Sequence, residues 1–78
     1  MPQTVNPPAP ITPATVRAYM ARYDIRYRDI ARLRGSGPAA VRMAVRADLT
    51  GRPISQRLLR EILDAANVIL LEREEKAA

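Results

Sequence analysis

Apolar residues recur along this chain at helical spacing. Val16, Tyr19, Met20 and Tyr23 fall at i, i+3, i+4 and i+7 and so share one helix face. Thr12 before Pro13 is a start signal, because the hydroxyl can cap a free backbone N–H and proline at the first helical position gives up no hydrogen bond. A first helix is expected from Thr12 to about Tyr23. Asp24-Ile25 interrupts the pattern, and a short second helix from about Arg26 to Arg34 turns Ile30, Ala31 and Tyr27 inward. Gly35-Ser36-Gly37-Pro38 predicts a tight turn, since Gly35 supplies a positive φ and Pro38 pre-sets the first turn of the next helix. A third helix is predicted from Pro38 to near Leu49, closed by Thr50-Gly51, with Ala40, Val41, Ala44 and Val45 inward. Ser55 then caps a long last helix, apolar at Leu58, Leu59, Ile62, Leu63, Ala66, Ile69 and Leu70. The pattern as a whole predicts an all-α domain of four or five helices over residues 12–71.

Both ends read differently. Residues 1–11 hold Pro2, Pro7, Pro8 and Pro10, each of which removes a backbone donor, and they are expected to form a disordered tail. Residues 72–78, which include Glu72, Arg73, Glu74, Glu75 and Lys76, are expected to be a charged, solvated helix end that frays. What remains is small, and a domain of that size buries only about 60% of the surface its unfolded chain exposes. The last helix is meanwhile apolar over a wider arc than such a body covers. Leu59, Leu63, Ile69 and Leu70 are therefore the expected surface of a homodimer.

The chain has no Cys and no His, so disulfides, thiolate or imidazole metal sites and the usual nucleophile–base pairs are not expected. An enzyme is not the reading, nor is a cofactor, a metal or a small-molecule ligand. Its longest apolar run, Val68 to Leu71, is far short of the ~20 residues of a membrane span, and its start has no charged-then-apolar leader pattern. A cytoplasmic, nucleoid-associated protein is expected.

Charge changes the picture more than composition does. Residues 17–60 carry eleven Arg against Asp24, Asp29 and Asp48, which is +8. Residues 61–78 carry Arg73 and Lys76 against five acids, which is −3, and the two recover the total of +5. A basic body with an acidic end is the footprint of a polyanion binder, because arginines displace counterions condensed on phosphates.

The turn carries a motif. In the stretch from Asp29 to Val45, a small Ala31 precedes Gly35 by four residues and Val41 follows it by six, a spacing that lets two helices cross closely around a tight turn. Asp29, Ile30, Ala31, Gly35 and Val41, with Ile25 before them and Leu49-Thr50-Gly51 after, resemble the helix-turn-helix of lac-repressor-type regulators and of lambda-repressor and Cro-like phage regulators. Ser36, Arg34 and Arg26 depart from that pattern at the buried post-turn position, the turn and the helix cap. The resemblance implies a lambda-repressor-like domain that binds double-stranded DNA, with the third helix, about 38–48, in the major groove. Arg42 and Arg46 are then the expected base contacts, since arginine pairs bidentately with guanine, and Ala39 and Met43 lie on the same outer face. Arg26, Arg28, Arg34 and Arg52 are expected on phosphates. Asp29, in the first turn of the second helix, is read as an organiser of that helix end.

Two functions follow. One is a sequence-specific transcription regulator acting as a homodimer on an inverted repeat. The alternative is a protein-interaction module, an antitoxin or adaptor, that uses the apolar last helix.

Overall fold

A computed structural model describes residues 10–77. The proline-rich segment 1–9 lies outside the described residues. Five helices follow in order: α1 (Pro13–Arg22), α2 (Tyr27–Arg34), α3 (Pro38–Val45), α4 (Ala47–Thr50) and α5 (Gln56–Ala77). No strand occurs among the described residues, and the protein is all-helical there.

Local chemistry sets most helix ends. Thr12 Oγ1 accepts from the Thr15 N–H at 3.2 Å, with Pro13 directly behind it. Ser55 Oγ does the same for the Leu58 N–H at 3.1 Å. Arg26 stands at the α2 N-cap and has no side-chain acceptor to offer. Asp29 compensates from the other direction, its Oδ2 accepting from the Arg26 N–H at 3.0 Å, so half of a capping box is closed.

Three helix exits use one device. Asp24, Gly35 and Gly51 adopt φ of 51°, 67° and 70°. In each case the next residue donates back five positions: Ile25 to the Met20 carbonyl at 2.9 Å, Ser36 to Ala31 at 3.0 Å, and Arg52 to Ala47 at 2.9 Å. These are Schellman closures, which satisfy carbonyls left free at a helix end. Glycine makes two of them cheaply, whereas Asp24 holds a left-handed backbone with a side chain.

The third helix is shorter than its sequence pattern predicts. Instead of running to Leu49, it stops at Val45, and the chain turns at Arg46 (φ −114°, ψ 14°) before a single turn of α4. Arg17 of α1 supplies a reason. Its Nη1 donates to the Val45 carbonyl at 2.8 Å, and its guanidinium holds the Asp48 carboxylate at 2.5 and 3.1 Å. The Leu49 N–H, deprived of that carbonyl, donates to Arg46 one residue nearer, at 3.0 Å.

Long-range pairs fix the directions of the other helices. The Gln56 side-chain amide makes two bonds to Ile11, accepting from its N–H at 2.8 Å and donating to its carbonyl at 2.6 Å. Arg73 donates to the carbonyls of Tyr23 and Asp24 at 2.6 and 2.9 Å. Start meets start and end meets end, so α1 runs parallel to α5. Arg34 at the end of α2 pairs with Glu61 near the start of α5 at 3.3 Å, so α2 runs antiparallel. Helix α3 packs against α1, α2 and α5. Between them lies an apolar core containing Val16, Met20, Ile25, Ile30, Ala31, Val41, Val45, Leu59, Ile62, Ala66 and Ile69, with no polar or charged side chain buried among the described residues.

Several expectations need correction. Ile11 packs against the core and is bonded to Gln56, so it belongs to the domain and not to the tail. Residues 72–77 continue α5, and Arg73 is a structural clamp there, not part of a fraying end. Ala40 is exposed on α3, not inward. Leu59 and Ile69, expected at a dimer surface, are 0% and 4% exposed and fill the core of one chain. Leu63 and Leu70 are half-buried, and Leu70 packs on that core.

Candidate nucleic-acid interface

The turn between α2 and α3 spans three residues, Gly35 to Gly37, all exposed. It presents α3 with Val41, Ala44 and Val45 on the core and with Ala39, Arg42 and Met43 in solvent. Met43 is 51% exposed, a large apolar side chain held out beside an arginine. On a helix of 3.6 residues per turn these three form one outward stripe. Arg46, at i+7 from Ala39, is the C-cap of α3 and is half-buried where the other three are exposed.

Across the turn, Arg28 and Arg32 share the outer face of α2, diametrically opposite the buried Ile30. Sequence reasoning singled out Arg28 and passed over Arg32, although the i, i+4 spacing was the available signal. Arg26 is exposed at the α2 N-cap, and Arg52 is exposed just past the αL turn at Gly51. Arg34 differs from the others expected on phosphate, because its guanidinium is engaged by Glu61 at 3.3 Å.

No acidic residue occurs from position 30 to 47, while Arg32, Arg34, Arg42 and Arg46 lie within that span. The flanking acids are both occupied. Asp29 caps α2, and Asp48 is held by Arg17, whose hydrogen bond keeps its carboxyl below the ordinary carboxylate range. Arg26, Arg28, Arg32, Arg42, Arg46 and Arg52 make no ion pair among the described residues. Arg28, Arg32 and Arg42 thus present free guanidinium groups on α2 and α3, with Arg26 at the start of α2 and Arg52 beyond α4.

The bracing lies outside this face. Arg17 ties α1 to the α3–α4 junction and Gln56 ties the start of α1 to the start of α5, and neither had been read as a site residue. Their partners lie 28 to 45 residues away, so no local pattern marks them. A depression of about 400 Å³ opens between α1 and the start of α2 and is lined by Arg17, Met20, Ala21, Ile25, Arg26 and Tyr27. It holds no carboxylate. No group of three or more acidic, His or Cys side chains that could hold a metal ion occurs among the described residues, and no helix there is long and apolar enough to cross a membrane. Compared with family models, curated proteins and solved structures, the chain matches none.

Proposed function

We propose that this protein is a sequence-specific double-stranded DNA-binding regulator in which α2 and α3 act as a helix-turn-helix of the lambda-repressor type. The observation that carries the reading is the outward stripe Ala39, Arg42 and Met43 of α3, with the unpaired Arg28 and Arg32 on the outer face of α2 and no acidic residue in the sequence between positions 30 and 47. An α-helix with its side chains is about 10–12 Å across, which suits a major groove about 12 Å wide. In this docking mode the early residues of the recognition helix meet the base edges. Arg42 is the base reader, with Ala39 and Met43 offering methyl groups to thymine. Arg26, Arg28, Arg32 and Arg52 take phosphates, Arg34 is reserved for Glu61, and Arg46 is a secondary contact at the helix end.

Four phosphate contacts per chain correspond to a slope of about −4 for log K against log salt. Fluorescence anisotropy of a labelled duplex, titrated at several salt concentrations, measures it. A slope near zero, or no binding at low salt, contradicts the proposal.

A further inference from the structure

The acidic end of α5 and a basic groove near its start are complementary surfaces that one chain cannot bring together, and from them we infer that copies of this protein associate head to tail. Ala40 and Ala44 carry only methyl groups on the side of α3 that faces the start of α5, and two adjoining depressions of about 290 and 100 Å³ open there. Both are lined by Ala40, Ala44 and Leu58, so they form one groove. Ile54 and Met43 extend its apolar wall, while Arg52 lines one depression and Arg34 the other. Glu61 is shared by Arg34 at 3.3 Å and Arg57 at 3.6 Å, which leaves the rim positive.

The other surface is a stripe. Asp64, Val68, Leu71 and Glu75 stand at i, i+4, i+7 and i+11 on α5 and so lie in one row on its outer side, about 16 Å long. Val68 is 42% and Leu71 51% exposed, and both acids are exposed. The row reads acid, apolar, apolar, acid, against a groove that is basic at its ends and apolar between. Within one chain the two cannot meet, because Leu58 and Ile62 of the groove and the stripe belong to the same rigid helix.

A two-fold pairing of α5 with itself is the competing occupant of the stripe, and charge opposes it. An antiparallel pair centred between Val68 and Leu71 sets Asp64 opposite Glu75 twice over, and a parallel pair sets each acid against its own copy. Like charges directly opposed are unfavourable. Stripe into groove sets one acid against Arg52 and the other against the Arg34–Glu61–Arg57 cluster, which keeps a net positive charge, and it covers Val68 and Leu71. The contact is heterologous, so it propagates instead of closing on a two-fold axis. It leaves Arg42 outside the groove but shares Met43 and Arg52 with the proposed DNA face, so self-association and DNA binding compete for those two side chains.

Sedimentation velocity of the full chain without DNA tests this. Wild type is expected to self-associate with rising concentration, to dissociate as salt is raised, and to show no fixed end-point stoichiometry. Leu71→Asp removes the stripe, and Ala40→Glu or the loop variant Arg52→Glu removes the groove. All three positions are exposed, and circular dichroism confirms the helices. Each change is expected to weaken association roughly a hundredfold, because it sets an unpaired carboxylate against apolar surface or another acid. An equimolar mixture of Leu71→Asp and Ala40→Glu keeps one good groove and one good stripe, so it is expected to form 1:1 heterodimers and nothing larger. Arg42→Ala is expected to self-associate as wild type does, which separates this inference from the DNA reading. Wild type that stays monomeric at several hundred micromolar overturns it. So does a discrete dimer that survives both groove variants, or a mixture that remains monomeric.

Discussion

Gly35→Ala is expected to destabilise the protein by about 1 kcal/mol, and its near neighbour Gly37 is expected to respond in the opposite sense. A Cβ added at Gly35 meets no atom within 4 Å, so no collision contributes. What remains is the backbone: at φ 67° an L-residue pays about 1–2 kcal/mol, offset in part by the ~0.4–1 kcal/mol that alanine gains by restricting the unfolded chain. The net is about 1 kcal/mol, which lowers the melting temperature by about 4–8 °C in a domain of this size. Gly37 also has open space around it, but its φ is −85° and it stands at the α3 N-cap without a side-chain acceptor. Gly37→Ser supplies that acceptor at an ordinary backbone conformation and is expected to stabilise by about 0.5 kcal/mol. Thermal melts followed by circular dichroism, with urea titrations to obtain free energies, measure both changes. Equal melting temperatures for Gly35→Ala and wild type refute the left-handed turn, and with it the placement of α3 relative to α2.

Leu59→Ala is expected to cost about 3–5 kcal/mol, because a fully buried leucine leaves a cavity in a thin core, and urea unfolding of the variant shows it. Were Leu59 a subunit contact instead, the loss would depend on protein concentration. Asp48→Asn probes the brace on α3. The folded carboxyl titrates below its unfolded value, so its contribution is present above the unfolded pKa and is lost as the pH falls through the lower folded one. The urea midpoint of wild type is expected to drop more steeply below about pH 4 than that of Asp48→Asn, whose midpoint is already lower at neutral pH. Parallel profiles contradict the brace. Arg28→Ala and Arg32→Ala are each expected to reduce the salt slope of DNA binding by about 0.9 and to weaken all duplex sequences alike, measured by anisotropy.

Most of the helices were legible because their signals are local. Thr12-Pro13, Gly35 to Pro38 and Ser55 announce turns and caps within a few residues, and the apolar periods named most of the buried positions. The misreadings arise where a distant group intervenes. Nothing between Pro38 and Leu49 breaks a helix, yet α3 stops at Val45, whose carbonyl accepts from Arg17, and this leaves Arg46 half-buried at the helix end. The width of the apolar arc on α5 marked apolar surface left outside the core, but two of the four residues expected there, Leu59 and Ile69, lie inside it. Helices α1, α2 and α3 all cover that helix, so Leu59 and Ile69 are enclosed and Val68 and Leu71 are left outside. Arg34 read as free because Glu61, its partner, lies 27 residues downstream. At the candidate interface the arginines were visible by type and spacing, whereas which of them are free depends on tertiary pairing.

Selection of duplexes from a random-sequence pool, run in parallel with wild type and Arg42→Ala, tests the central claim most directly. The account predicts that wild type enriches a defined motif containing at least one guanine. It predicts that Arg42→Ala loses about 1–3 kcal/mol of preference at that guanine while retaining salt-sensitive binding to the unselected pool. Failure of wild type to enrich any motif, or recovery of the same motif at the same affinity by Arg42→Ala, contradicts it.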